Sequence, residues 1–142
     1  MSLEENKAIY RRYIQEAFNE GNLEILDELL SPSYVYQDAP PDIPQGPDAI
    51  KEVVKMFRSA FPDLHISIEE QAAEGDKVFS RSIMTGTHKG ELFGIKPTGK
   101  CVSMKGMTMV KVKDGKITES WVSNDVMGMM KQLGAIPAPA AK

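Results

Sequence analysis

The architecture turns on residues 101–125, CVSMKGMTMVKVKDGKITESWVSND, which read as a long β-hairpin. Val102, Met104, Val110 and Val112 recur on an alternating pattern. Asp114-Gly115 is the strongest hairpin signal in the chain, because a two-residue type I′ loop needs positive φ at both positions. Ile117 to Asp125 then returns as the partner strand. An unbroken register from that turn sets Val112 opposite Ile117, Val110 opposite Glu119, Thr108 opposite Trp121, Gly106 opposite Ser123 and Met104 opposite Asp125. Trp121 and Asp125 then share a face with Val110, Val112 and Ile117. The other face carries Met107, Met109, Lys111, Ser120, Val122 and Asn124.

Upstream, Leu64, Ile66 and Ile68 alternate with His65, Ser67 and Glu69, as in a strand with one buried face. Residues 74–77, Glu-Gly-Asp-Lys, turn the chain into a second strand, Val78 to about Thr87. The same exercise puts Leu64, Ile66, Ile68, Phe79, Arg81 and Ile83 on one face, with Glu70 across from Arg81. Residues 88–100 hold three glycines and Pro97 and are expected to be irregular. Before residue 62 the period is helical. Ser2 and Glu5 make a capping box ahead of an apolar stripe through Ile9, Tyr10, Tyr13, Ile14, Ala17 and Phe18. Gly21 ends that helix; Asn22 caps a shorter one with Leu23, Leu26, Leu29 and Leu30, and residues 34–36 form a short strand. Pro47 opens a third helix with Ile50, Val53, Val54, Phe57 and Phe61 on one side, closed by Pro62. Met127 to Leu133 forms a last short helix. Helices first and hairpin-linked strands after them imply an α+β fold with an antiparallel sheet. Residues 1–134 are expected to form a single domain, and 135–142 a frayed Pro/Ala-rich tail.

The 142 residues carry a net charge of −3, with 42% hydrophobic and 26% charged side chains. The charges are mixed along the chain, so neither nucleic acid nor an anionic membrane is an expected partner. A single cysteine, Cys101, rules out an internal disulfide and Cys-based zinc clusters. The opening residues lack the basic and apolar regions of a signal peptide, so the expected location is cytoplasmic.

The unbroken register places two charges, Arg81 and Asp125, on an otherwise apolar inner face. A buried carboxylate tends to be raised in pKa, as a general base requires. Asp125 is equally suited to cap the helix that follows it. Arg81 is either the ion-pair partner of Glu70 or a ligand anchor. Trp121 is core packing or a ligand platform. His88 stands at a strand–loop junction. The two histidines, with no carboxylate at ligand spacing, make no metal site. Met107, Met109 and Val122 on the outer sheet face suggest a homodimer interface.

Several segments carry a resemblance when taken together and in order: residues 61–64 (Phe-Pro-Asp-Leu), 86–94 (Gly-Thr-His-Lys-Gly-Glu-Leu-Phe-Gly), 97–100 (Pro-Thr-Gly-Lys), 114–117 (Asp-Gly-Lys-Ile), Glu119-Ser120-Trp121 with Asp125, and 132–134 (Gln-Leu-Gly). In these the chain resembles the SnoaL-like polyketide cyclases, also called predicted ester cyclases. The resemblance implies a nuclear transport factor 2-like cone, a curved antiparallel sheet wrapped around N-terminal helices and enclosing a pocket. It also implies a cofactor-free intramolecular aldol cyclisation of a small apolar carbonyl compound. Asp125 would be its acid–base group, and Arg81 or His88 would stabilise the oxyanion. Trp121, Gln37, Tyr36, Phe57, Phe93 and Met104 are the expected substrate-binding set. Gln37 stands where resembling chains often carry a histidine, and glutamine hydrogen-bonds but does not exchange protons near neutral pH. That difference favours an alternative, a non-catalytic small-molecule-binding module on the same fold.

Overall fold

The computed structural model of the chain describes residues 2–39 and 41–136. The expected Pro/Ala-rich tail lies almost wholly outside them. Helix α1 (Leu3–Arg12) starts at Ser2, whose Oγ accepts the Glu5 amide at 3.1 Å. It runs straight into a π-helical segment, Tyr13–Asn19. The sequence pattern predicts an uninterrupted α-helix here. The wider π turn brings residues five apart onto one face, and Tyr13 and Phe18 meet edge to face at 5.5 Å between ring centroids. The segment ends on Asn19, whose carboxamide clamps the Ile66 backbone of the sheet. Its Nδ2 donates to Ile66 O at 3.0 Å and its Oδ1 accepts from Ile66 N at 2.7 Å.

Then come α2 (Ile25–Leu29), β1 (Leu30–Tyr36), α3 (Pro47–Ala60), β2 (His65–Glu74), β3 (Lys77–Thr87), β4 (Cys101–Lys113), β5 (Lys116–Asn124) and α4 (Val126–Gln132). The sheet order is β1-β5-β4-β3-β2. Four strands are antiparallel as expected, but β1 joins β5 in parallel, so the sheet is mixed. One apolar cluster, around Tyr10, Tyr13, Leu26, Leu30 and Val110, packs the N-terminal helices against the sheet. A second, around Phe61, Leu64, Met84, Met104 and Met129, closes the other end. No helix among the described residues is long and apolar enough to cross a membrane.

Both expected turns form. Asp114 and Gly115 have φ of 52° and 78°, a type I′ loop flanked by the pair Lys113 and Lys116. Both hairpins, however, slip by one residue. Ile68 pairs Ser82 while Glu70 pairs Arg81, leaving Glu69 extra in β2. Val112 pairs Ile117 while Lys111 pairs Glu119, leaving Thr118 extra in β5. Such bulges reverse the facing of every residue beyond them. Glu70 does lie opposite Arg81, and their ion pair closes at 2.6 Å. Phe79, Arg81, Ile83, Trp121 and Asp125 therefore leave the face assigned to them by an unbroken register. Ser120, Val122 and Asn124 turn inward instead.

Asn19→Ala removes both hydrogen bonds to Ile66 and strands half-buried backbone groups. The expected cost is about 1–3 kcal/mol of stability, read as a lower denaturation midpoint; an unchanged midpoint would show that the clamp holds nothing.

Candidate functional site

A cavity of about 100 Å³ lies between the N-terminal helix, α3 and the inner face of the sheet. Its wall from the helix is Tyr10, Tyr13, Ile14 and Phe18, the residues that the α-to-π transition aligns. Helix α3 adds Ile50, Val53 and Phe57, and the sheet adds Ile66, Met84 and Met104. Polar groups enter from Ser82, Thr108, Ser120 and Asn124, and from the tyrosines. Asn124 lies directly over Gly106, where a Cβ would collide with its Oδ1.

The hydroxyls gather at one end. Tyr34 and Ser120 share a short hydrogen bond beside the cavity. Burial pushes the Tyr10 phenol up to about 12, partly offset by a hydrogen bond with Thr108. Burial also raises Tyr13 well above the ordinary phenol value, with the neighbouring Tyr34, Tyr10 and Tyr36 adding to the effect. Tyr34 and Tyr36 are raised by burial as well. All four phenols thus stay neutral around pH 7 and act as hydrogen-bond donors rather than bases. Tyr13 is 6% exposed and lines the cavity.

Of the residues singled out from sequence, Tyr36, Phe57 and Met104 line this cavity. Phe93 does not, but its ring meets Phe57 edge-on at 6.4 Å. Gln37 is committed to the sheet edge: its Nε2 donates to Glu119 Oε2 at 2.9 Å and its amide to Ser120 O at 2.9 Å. Trp121 is on the outer face, with the Lys111 ammonium 5.6 Å from its ring centroid. His88 does not reach a pocket mouth. It is fully buried against Phe61, with Nδ1 accepting the Thr98 amide at 3.2 Å. That bond places the proton on Nε2, which has no partner among the described residues.

Asp125 is exposed and caps α4, its Oδ1 accepting the Gly128 amide at 2.9 Å. The helix-cap alternative describes its position, and the inward placement beside Trp121 is corrected by the Thr118 bulge. Arg81 and Asp125 do share a cleft, about 320 Å³, with Lys105 and Ser123. That cleft lies on the outer side of the sheet and meets the cavity only at Ser82, Gly106 and Asn124, which border both. The polar cavity residues that the sequence did not single out as site candidates are Tyr10, Tyr13, Thr108, Ser120 and Asn124. The two tyrosines stood in the helical stripe as core residues. Nothing in Lys116-Ile117-Thr118 signals the bulge that turns Ser120 and Asn124 inward; Thr108 already stood on the inner face with Val110.

The SnoaL-like polyketide cyclase family model matches residues 7–133. The nogalonic acid methyl ester cyclase of Streptomyces nogalater is 31% identical over 121 residues, covering 83% of this chain and 90% of that protein. The aklanonic acid methyl ester cyclase DnrD of Streptomyces peucetius is 29% identical over 126 residues, 87% of each chain. Among solved structures, TsrD from Streptomyces laurentii superposes with a TM-score of 0.88 at 25% identity, covering 96% of this chain and 99% of its own. The chain belongs to the SnoaL-like polyketide cyclase family, and the α+β fold read from its sequence is that of its relatives.

The chain has four tyrosines, all with raised pKa, so phenolate absorbance at 295 nm in the native protein is expected to lag the ordinary midpoint near pH 10. The folded pKa values lie above the unfolded ones, so stability is level below about pH 10 and falls as pH rises toward about 12. A native titration centred near pH 10 would contradict the buried phenol cluster.

Proposed function

We propose that this member of the cyclase family holds a compact, uncharged, largely apolar carbonyl compound in the cavity, and that it acts there by binding rather than by general-base catalysis. The observation that carries this reading is the pair of phenols, Tyr10 and Tyr13, that line a largely apolar cavity and are held neutral there by burial. A hydrogen bond from such a phenol to an acceptor on a ligand contributes about 0.5–1.5 kcal/mol. A carbonyl oxygen is the natural acceptor for a phenol that stays protonated. About 100 Å³ suits roughly one six-membered ring. Drug-sized ligands occupy pockets of about 300–1,000 Å³. Abstracting a proton next to a carbonyl needs a base, and the cavity lining among the described residues holds neither carboxylate nor imidazole.

Cyclohexanone is the probe of choice, with methylcyclohexane as the control that lacks an acceptor. Titration calorimetry is expected to show Tyr13→Phe binding the ketone roughly 3- to 10-fold more weakly, as the loss of one neutral hydrogen bond implies, with the hydrocarbon unaffected. Equal ketone affinity in the two proteins would overturn the reading.

A second reading keeps the family's chemistry, the intramolecular aldol cyclisation with Asp125 as acid–base. It is favoured by the outer cleft in which Asp125, Arg81 and Lys105 meet. There the carboxylate would take a proton beside a carbonyl and the two cations would steady the enolate. Asp125→Asn keeps the helix cap, since Asn and Asp cap about equally well. Loss of turnover on a cyclisable polyketide in that variant would establish this second reading in place of the first.

The outer face also carries Phe79 and Met107, 48% and 62% exposed, beside Met109 and Trp121. We infer a homodimer through this face, as the apolar residues in a groove of about 420 Å³ suggest. Light scattering at micromolar concentration is expected to give a dimer mass, and Met107→Lys a monomer; a monomeric wild-type protein would contradict it.

A further inference from the structure

The chain between β3 and β4 contains a bulky side chain in a backbone conformation that suits it badly. Leu92 and Ile95 exchange backbone hydrogen bonds at 3.1 and 2.8 Å around Phe93 and Gly94. The two central residues have φ of 49° and 78°, so the turn is type I′. Its first central position favours Asn, Asp or Gly, and a bulky side chain at positive φ is strained. The strain brings no compensating burial, because Phe93 remains 52% exposed while its neighbour Leu92 anchors the loop at 1%. Among the described residues, the one aromatic contact that Phe93 makes is with Phe57, edge to face.

Phe57 is the other half of the observation. It is only half-buried, it stacks on Phe61 with centroids 6.5 Å apart, and it lines the cavity. The lining residues that reach solvent are Val122, 37% exposed, and Asn124 at the end of β5. Val53 and Phe57 of α3, both half-buried, line the same cavity. A strained, exposed ring thus leans against a half-buried side chain of the cavity wall.

We propose that Phe93 is the gate residue of the cavity, holding Phe57 across the mouth and limiting the passage of small molecules in and out. Strain at Phe93 keeps the turn close in energy to an open arrangement, so the gate moves without the rest of the fold unfolding. This rests on the cavity being the binding site, but it makes a claim about access that can be tested without any ligand.

The test is Phe93→Asn, which gives the turn Asn-Gly, the preferred type I′ pair. In a Cys101→Ser background, Met104→Cys places one thiol in the cavity wall, and its labelling by iodoacetamide reports access. Phe93→Asn is expected to raise the thermal midpoint, because strain is relieved, and to speed labelling several-fold. Those two changes have opposite consequences if the thiol is reached through unfolding, since a more stable protein would then label more slowly. Labelling that is unchanged or slower, or a lowered thermal midpoint, would overturn the gate. Failure of cyclohexanone to bind the wild-type protein would instead count against the binding reading and leave the labelling result to stand by itself.

Discussion

Thr118 in β5 has no partner in β4, and the sheet continues past it with every later side chain reversed. Its hydroxyl donates to the Lys111 carbonyl at 3.4 Å, a weak substitute for the interrupted ladder. The nature of the cavity depends on this one residue. With it, Ser120, Val122 and Asn124 face the tyrosines of the N-terminal helix, while Trp121 and Asp125 are directed away. Without it the same strand would offer an indole and a carboxylate. Glu69 plays the corresponding part in β2 and keeps Arg81 outside with Glu70.

What was legible in the sequence follows from period and turn chemistry. The helical stripes, the Asp114-Gly115 loop, the capping residue Ser2 and the Arg81–Glu70 pair all depend on local preferences or on counting from a turn. The bulges are set by tertiary demand, with no glycine or proline at Thr118 or Glu69 to announce them. The π-helical segment is similar: Tyr13 and Phe18 meet because the cavity wall and the Asn19 clamp on Ile66 require it, whereas local propensity favours a plain α-helix. The parallel pairing of β1 with β5 likewise needs long-range placement that periodicity does not encode.

Membership of a cyclase family and a cavity lined by no carboxylate or imidazole among the described residues are compatible, because a fold carries its chemistry in a few side chains at chosen positions. In this chain those positions hold hydroxyls, an amide and apolar groups. The buried phenols resist ionisation and are suited to a neutral acceptor. Gln37, fixed between Glu119 and the β5 backbone, has a structural duty at the sheet edge and supplies no proton transfer. Asp125 in turn has a sufficient reason for its place as the cap of α4.

The facing of β5 is open to direct measurement by cross-strand nuclear Overhauser contacts between β4 and β5. Backbone contacts linking Thr108 with Val122 and Met109 with Trp121 are expected, with the slip confined to Thr118. Contacts linking Thr108 with Trp121 and Gly106 with Ser123 would instead return Trp121 and Asp125 to the cavity and contradict the cavity lining.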